Sequence, residues 1–229
     1  MTASLSRRVV AEFAGTLFLL AAVVGSGVMG ERLAAGNMAL ALLANTIATG
    51  AALVAIILAF GPISGAHLNP AVTLADAWQG GIAWRETPSY IAAQIAGAFA
   101  GVATAHLMFG LPVFSASTHA RTGAAQLLSE FVATFGLLSV IWGCVRHRLS
   151  AVPFAVGSYI TAAYWFTAST SFANPAVTLA RSASDTFAGI RLTDVAGFVV
   201  AQLAGAFAAT LIFRWLFPAL KAAPEASGA

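Results

Sequence analysis

Charge is scarce in this chain: of 229 residues only 8% are Asp, Glu, Lys or Arg, against about 25% in an ordinary soluble domain. With 59% hydrophobic residues and a mean hydropathy of +0.87, a globule wetted on every side is excluded. Cysteine is nearly absent. The one thiol, Cys144, has no partner for an intramolecular disulfide and no neighbouring thiolate for a metal cluster, so redox and zinc chemistry fall away. The eleven Lys and Arg stand singly or in pairs, and despite a net charge of +3 they form no run that would grip nucleic acid. GxSxG and HExxH are missing as well, which removes the common hydrolase and metalloprotease readings. No metal site and no cofactor is expected.

What is present is apolar sequence in long pieces. Runs at about 9–29, 38–61, 88–109, 125–145, 150–168 and 195–217 can each cross about 30 Å of hydrocarbon at 1.5 Å per helical residue. The first, Val9 to Met29, follows Arg7 and Arg8 as a secretion-signal core would. It is longer than such a core and carries Glu12, so it reads as a retained span. Six spans put both termini on one side. Placing that side in the cytoplasm collects Arg7, Arg8, Arg85, Arg146, Arg148, Arg214 and Lys221 there, against Arg32, Arg121, Arg181 and Arg191 outside. The prediction is a multi-pass protein of the cell membrane with cytoplasmic termini, one transmembrane domain over 1–229, and a small-residue disordered tail over 221–229.

The chain also repeats itself. Glu12-Phe13-Ala14-Gly15-Thr16 is echoed by Glu130-Phe131-Val132-Ala133-Thr134, NPAVTLA at 69–75 by NPAVTLA at 174–180, and AQIAGAFA at 93–100 by AQLAGAFA at 201–208. Three matched blocks in the same order define halves at about 5–109 and 125–217. Each half has three spans, an odd number, so the second enters the membrane from the opposite face: an inverted repeat, with its site at the half–half interface near the midplane.

Neither NPAVTLA block is long enough to span. Asn before Pro is biased away from helical backbone and suits an N-cap, while Pro fits the first helical position, so each block starts a half-helix of about 15 Å at its Asn. Two such helices meeting at Asn69 and Asn174 converge their positive dipole ends on the bilayer centre and repel cations there. The loops before them, PISGAHL and TASTSFA, place irregular backbone at membrane depth, which is tolerated only when buried in protein or lining water. Their carbonyls accept, and the Asn amides donate, hydrogen bonds along an aqueous path fit for water, polyols or hydroxylated metalloid acids.

The paired NPA boxes, the AEFAGT and SEFVAT starts of the first and fourth spans, the SGAHLNPAVT stretch and the AQIAGAFAG span together resemble the aquaporin, or major intrinsic protein, family over about residues 5–217. The resemblance implies an all-α membrane protein of aquaporin-like fold: six transmembrane helices plus two re-entrant half-helices in an inverted repeat. It implies a homotetramer in membrane lipid with one pore per subunit, and makes Asn69, Pro70, Ala71, Asn174, Pro175 and Ala176 the pore motif. In most members an arginine stands three residues past the second Asn, where this chain has Val177. Carried over by spacing, the other constriction positions are Thr49, Ala162 and Ser171. All four are small or medium, implying a wide, arginine-free, amphipathic filter for uncharged solutes larger than water. The altered box is similar to that of the arsenic-operon aquaglyceroporins of bacteria, which implies arsenous acid or methylated arsenicals among the solutes. A general glycerol, urea and water facilitator is the alternative reading.

Other candidates have plainer roles. The repeat-equivalent acids Glu12 and Glu130 are expected to accept backbone amides of the re-entrant loops, and His67 to support the first loop. His106, His119 and His147 are expected in solvated loops, and Arg181, one helical turn beyond Val177 on roughly the same face, at the mouth or paired with Asp185, with replacement of the missing filter charge from farther out as the alternative reading. Gly97 and Gly101, matched by Gly205 and Ala209, form small-residue packing faces. Trp78, Trp84, Trp142 and Trp165 fall near span or half-helix ends, as interfacial belts do. An ion-coupled transporter shares inverted repeats and broken helices, but needs a coupling charge where this chain places two Asn.

Overall fold

Among residues 3–217, which the computed structural model describes, the chain forms eight α-helices and no strand. They are α1 (Leu5–Leu33), α2 (Met38–Ser64), α3 (Pro70–Gln79), α4 (Thr87–Met108), α5 (Ala124–His147), α6 (Val152–Phe166), α7 (Pro175–Arg181) and α8 (Leu192–Leu216). Six are long and apolar enough to cross a bilayer: α1, α2, α4, α5, α8, and α6 together with the 3₁₀ turn Leu149–Ala151 that leads into it. This is a multi-pass membrane protein. The predicted tail over 221–229 lies outside the described residues.

Local chemistry sets the helix ends. Asn37 Oδ1 accepts from the Ala39 and Leu40 amides at 3.1 and 3.2 Å and starts α2, which ends where Gly65 turns left-handed at φ 89°. Proline occupies the first turn of α3, α4, α6 and α7, where a missing amide hydrogen costs no helical bond. The ten residues of α3 match the expected half-span. At seven residues, about 10 Å, α7 is shorter than expected, because the Ser182 and Ala183 amides close a turn onto the Leu179 and Ala180 carbonyls.

Each half is built the same way. α1 packs between α2 and α4, as α5 packs between α6 and α8, while α2 meets α6 across the half–half interface. The half-helices cross over: α3 touches α8 and α7 touches α4. Leu20, Val24, Val102, Leu138 and Ala206 lie in the resulting core.

The closest approaches use glycine. A Cβ on Gly97 would fall on the Phe13 carbonyl, one on Gly101 on the Leu17 carbonyl, and one on Gly205 on the Phe131 carbonyl. These are backbone atoms of the facing helix, which cannot swing aside as a side chain can.

Two expectations about surface residues are corrected. Trp142 is not interfacial: it is 5% exposed and its Nε1 donates to Thr210 Oγ1 at 3.2 Å, because the fourth span turns that face into the core. His106 is fully buried rather than solvated, with Nδ1 2.7 Å from the Pro112 carbonyl oxygen and Nε2 2.8 Å from Ser184 Oγ. It ties the loop after α4 to the loop after α7. The same two loops are clasped by the Ser115 and Ser117 amides, which donate to the Ala183 and Ser182 carbonyls. Thr118 adds bonds from its amide and hydroxyl to Asp185, holding that exposed carboxyl below the usual carboxylate range.

Gly97→Ala and Gly205→Ala each force the facing backbones apart and are expected to destabilise the fold by about 2 kcal/mol. Gly61→Ala, where an added Cβ meets open space, is the matched control. Thermal unfolding in detergent checks this; equal midpoints for all three would refute close backbone contact at the two equivalent seams.

Candidate functional site

The two re-entrant loops adopt the same unusual backbone. Ala66 (φ 47°) and Leu68 (φ 52°) in the first are matched by Ser171 (φ 49°) and Ala173 (φ 48°) in the second, with Thr170 (φ 60°) alongside. Left-handed backbone at residues with a Cβ costs on the order of 1–2 kcal/mol each, so something must hold it. The holders are the two buried acids. Glu12 Oε1 accepts from Ser64 Oγ (2.7 Å) and the His67 amide (2.9 Å), and its Oε2 accepts from the Leu68 amide (2.7 Å) and Gln94 Nε2 (2.8 Å). Glu130 accepts from the Phe172 and Ala173 amides, both at 2.9 Å, and from Gln202 Nε2 at 2.6 Å. Every partner donates, so both carboxyl groups anchor the loops as acceptors.

The loops deliver the two Asn to one point. Asn69 Oδ1 caps α3 by accepting from the Ala71 amide at 2.9 Å, and Asn174 Oδ1 caps α7 by accepting from Ala176 (3.0 Å) and Val177 (3.3 Å). Their Nδ2 groups cross the pseudo-two-fold: Asn69 donates to the Ala173 carbonyl at 2.8 Å and Asn174 to the Leu68 carbonyl at 2.7 Å. Each amide has two hydrogens. One fastens the other half's loop, leaving one for a solute. Pro70, Ala71, Pro175 and Ala176 form the first turns behind them.

A cavity of about 380 Å³ runs past both Asn, from Arg8 and Tyr90 at one end to Arg181 at the other. Thr49, Ser171 and Val177 line it beside Leu53 and Ile160, and His67 lines it nearer the other end. Ser171 Oγ is buried without a protein partner, and Tyr164 Oη donates to Thr49 Oγ1 at 3.4 Å. His67 Nδ1 lies 3.2 Å from Thr73 Oγ1 and its Nε2 3.5 Å from Asp76 Oδ2.

Ala162 is corrected: it is exposed on the flank of α6 and does not line the cavity, which receives Ile160 and Tyr164 from that helix instead. Counting back from Asn174 crosses the irregular segment 167–173, whose geometry sets the rotation of α6 in a way spacing does not reveal. Arg181 is not paired with Asp185, which Thr118 occupies; it lines the cavity.

Several contributors escape the motif reading. Gln94 and Gln202 each bridge a loop acid to a half-helix threonine, their Nε2 groups reaching Thr73 Oγ1 (2.9 Å) and Thr178 Oγ1 (2.8 Å). The signal was available, because both sit at the same place in the repeated AQIAGAFA and AQLAGAFA blocks. Arg121 carries no such signal. Its Nε donates to the Gly189 carbonyl and its Nη1 to the Ser169 carbonyl, at 2.8 and 3.1 Å, pinning the second loop from outside the repeat.

Six spans, two crossed half-helices and a polar-studded cavity between them define a transmembrane channel. The family model described as "Major intrinsic protein" matches residues 1–169 and 144–229, and the chain belongs to that family. It is 58% identical over 212 residues to aquaglyceroporin AqpS of Rhizobium meliloti (strain 1021), covering 93% of this chain and 91% of the relative. It is 35% identical over 219 residues to aquaporin NIP1-4 of Oryza sativa subsp. japonica, covering 91% of this chain and 76% of that one. The X-ray structure of the aquaglyceroporin from Plasmodium falciparum superposes with a TM-score of 0.72 at 23% identity, covering 93% of this chain and 95% of that chain, which shows a shared fold. The protein is a passive channel for small solutes and not an enzyme.

Glu12→Gln and Glu130→Gln replace acceptor oxygens with an amide whose hydrogens oppose existing donors. Each is expected to cost roughly 3 kcal/mol and to lower the unfolding midpoint, with Glu→Asp intermediate. Glutamine variants that melt with the parent would show that the acids do not hold the loops.

Proposed function

We propose that the channel passes small uncharged hydroxylated solutes, polyols and metalloid acids such as arsenous acid or methylated arsenicals, through a filter formed by Thr49, Ser171, Val177 and Tyr164. The observation that supports this most is the lining at that level. It combines the apolar side chains of Val177, Leu53 and Ile160 with the Thr49–Tyr164 hydroxyl pair, and Ser171 stands beside them. A solute with oxygens on one side and hydrocarbon or a bare metalloid centre on the other exchanges its hydration for such a surface at lower cost than an ion does. No arginine stands at the level of Val177, which leaves room for solutes larger than water. The relative at 58% identity is itself an aquaglyceroporin.

We further propose the remaining parts of the reading, which the fold supports. The Asn69 and Asn174 boxes form the central barrier and hydrogen-bond the passing solute, with Glu12, Glu130 and His67 supporting the loops. Exposed side chains such as Phe18, Leu43, Phe154 and Phe207 meet lipid or neighbouring copies in a homotetramer of the cell membrane, with cytoplasmic termini. One domain spans the chain.

The test is a stopped-flow swelling panel in proteoliposomes with water, glycerol, urea, arsenous acid and methylarsonous acid. The hydroxylated solutes should enter at rates comparable to water, and Val177→Arg should slow them about tenfold more than water, equivalent to about 1.4 kcal/mol of added barrier. Equal loss for every solute at normal expression would remove Val177 from the filter; a channel passing water alone would overturn the proposed substrate class.

A further inference from the structure

The pseudo-two-fold relates more than the NPA boxes. Seven residues past each Asn stand Asp76 and Arg181, and two residues before each Asn stand His67 and Phe172. All four side chains line the cavity. In the first half the acid is matched by His67, 3.5 Å away; in the second the guanidinium carbon lies 3.4 Å from the Phe172 ring centroid. One backbone position therefore projects opposite charges at opposite ends of one pore.

The other charged side chains lining that pore have ionisable partners. Arg8 pairs with Glu86 at 2.9 Å, and Asp76 faces His67. Arg181 is 2% exposed and, among the described residues, has no carboxylate within ion-pair distance. Its Nε donates to the Ala188 carbonyl, while its two Nη groups make no bond to the described residues and are not sealed in protein. Ser171 Oγ, 2% exposed and unpartnered, lies in the same lining.

We infer that Arg181 supplies the fixed positive charge of the mouth opposite Arg8 and Tyr90, about one helical turn outward of Val177, where its free Nη donors take the oxygens of an arriving solute and its charge turns cations away. This rests on the solute-channel reading of the same cavity. Displacing the charge outward by four residues, about 6 Å along α7, separates charge selection from size selection. Val177 sets the width of the filter and Arg181 sets the sign of what approaches it.

Two measurements test the assignment. In reconstituted protein, Arg181→Gln should raise cation conductance roughly tenfold relative to the neutral-solute flux that remains and should slow glycerol entry, and Val177→Arg/Arg181→Gln should restore exclusion. Arg181→Lys should keep exclusion, since it keeps the charge. Independently, in a Cys144→Ala/Ser171→Cys background with Arg181 intact, an anionic sulfonate thiosulfonate reagent should modify the thiol about tenfold faster than a cationic trimethylammonium one, after normalisation to a free thiol. This second measurement reads the field even if Arg181→Gln fails to fold. Neutral-solute flux with unchanged cation exclusion in Arg181→Gln, or equal modification rates in the intact-Arg181 background, would overturn the inference alone. Absence of neutral-solute flux in the unmodified protein would instead overturn the channel's proposed substrate class.

Discussion

Backbone polar groups cannot be left open in hydrocarbon, and this structure depends on how two short loops at membrane depth meet that constraint. Each loop turns its peptide planes by placing non-glycine residues in left-handed conformations, and each is held by one buried carboxylate that takes consecutive amides. A hydroxyl donor in that place would compete with the amides, and an amide side chain has only one acceptor oxygen. The acid is the side chain able to take several donors at once. Fixing the amides inward leaves the carbonyls free, and two of them, Leu68 and Ala173, accept from the Asn of the opposite half. The capping of each half-helix, the position of its Asn and the seam between the halves are thus one connected hydrogen-bond system.

That connection explains which features were legible in the sequence. Six spans follow from apolar length, the inverted repeat from three matched blocks, and the half-helix starts from Asn-Pro, because each rests on local chemistry that does not depend on distant geometry. Lining residues on a span are a different matter. A helix turns 100° per residue, so an inference that steps back from Asn174 across segment 167–173 loses the azimuth of α6 and arrives at Ala162, on the outer flank, instead of Tyr164. Thr49, reached by the same kind of count, does line the cavity because α2 runs unbroken to the Gly65 cap next to its loop.

Burial of polar side chains was the other blind spot. His106 and Trp142 look peripheral by position, yet each finds a partner supplied by an element far along the chain: Ser184 for the histidine, Thr210 for the tryptophan. Gln94 and Gln202 differ in that repetition marks them. A polar residue kept at the same register inside two otherwise apolar blocks signals a shared buried acceptor, and the acceptors are the loop acids.

The repeat also shows how a symmetric scaffold acquires direction. The two positions seven residues past the Asn are equivalent in backbone but not in electrostatics, because both lie toward the C-terminal, negative end of a half-helix dipole. An acid there is disfavoured by the dipole and has His67 beside it. An arginine there is favoured, and the Phe172 ring and Ala188 carbonyl offset part of its lost hydration without neutralising it. The first half therefore sets its acid beside His67, whereas the second presents a charge with no carboxylate beside it, and the sign of that charge is the one the polarity of its helix favours.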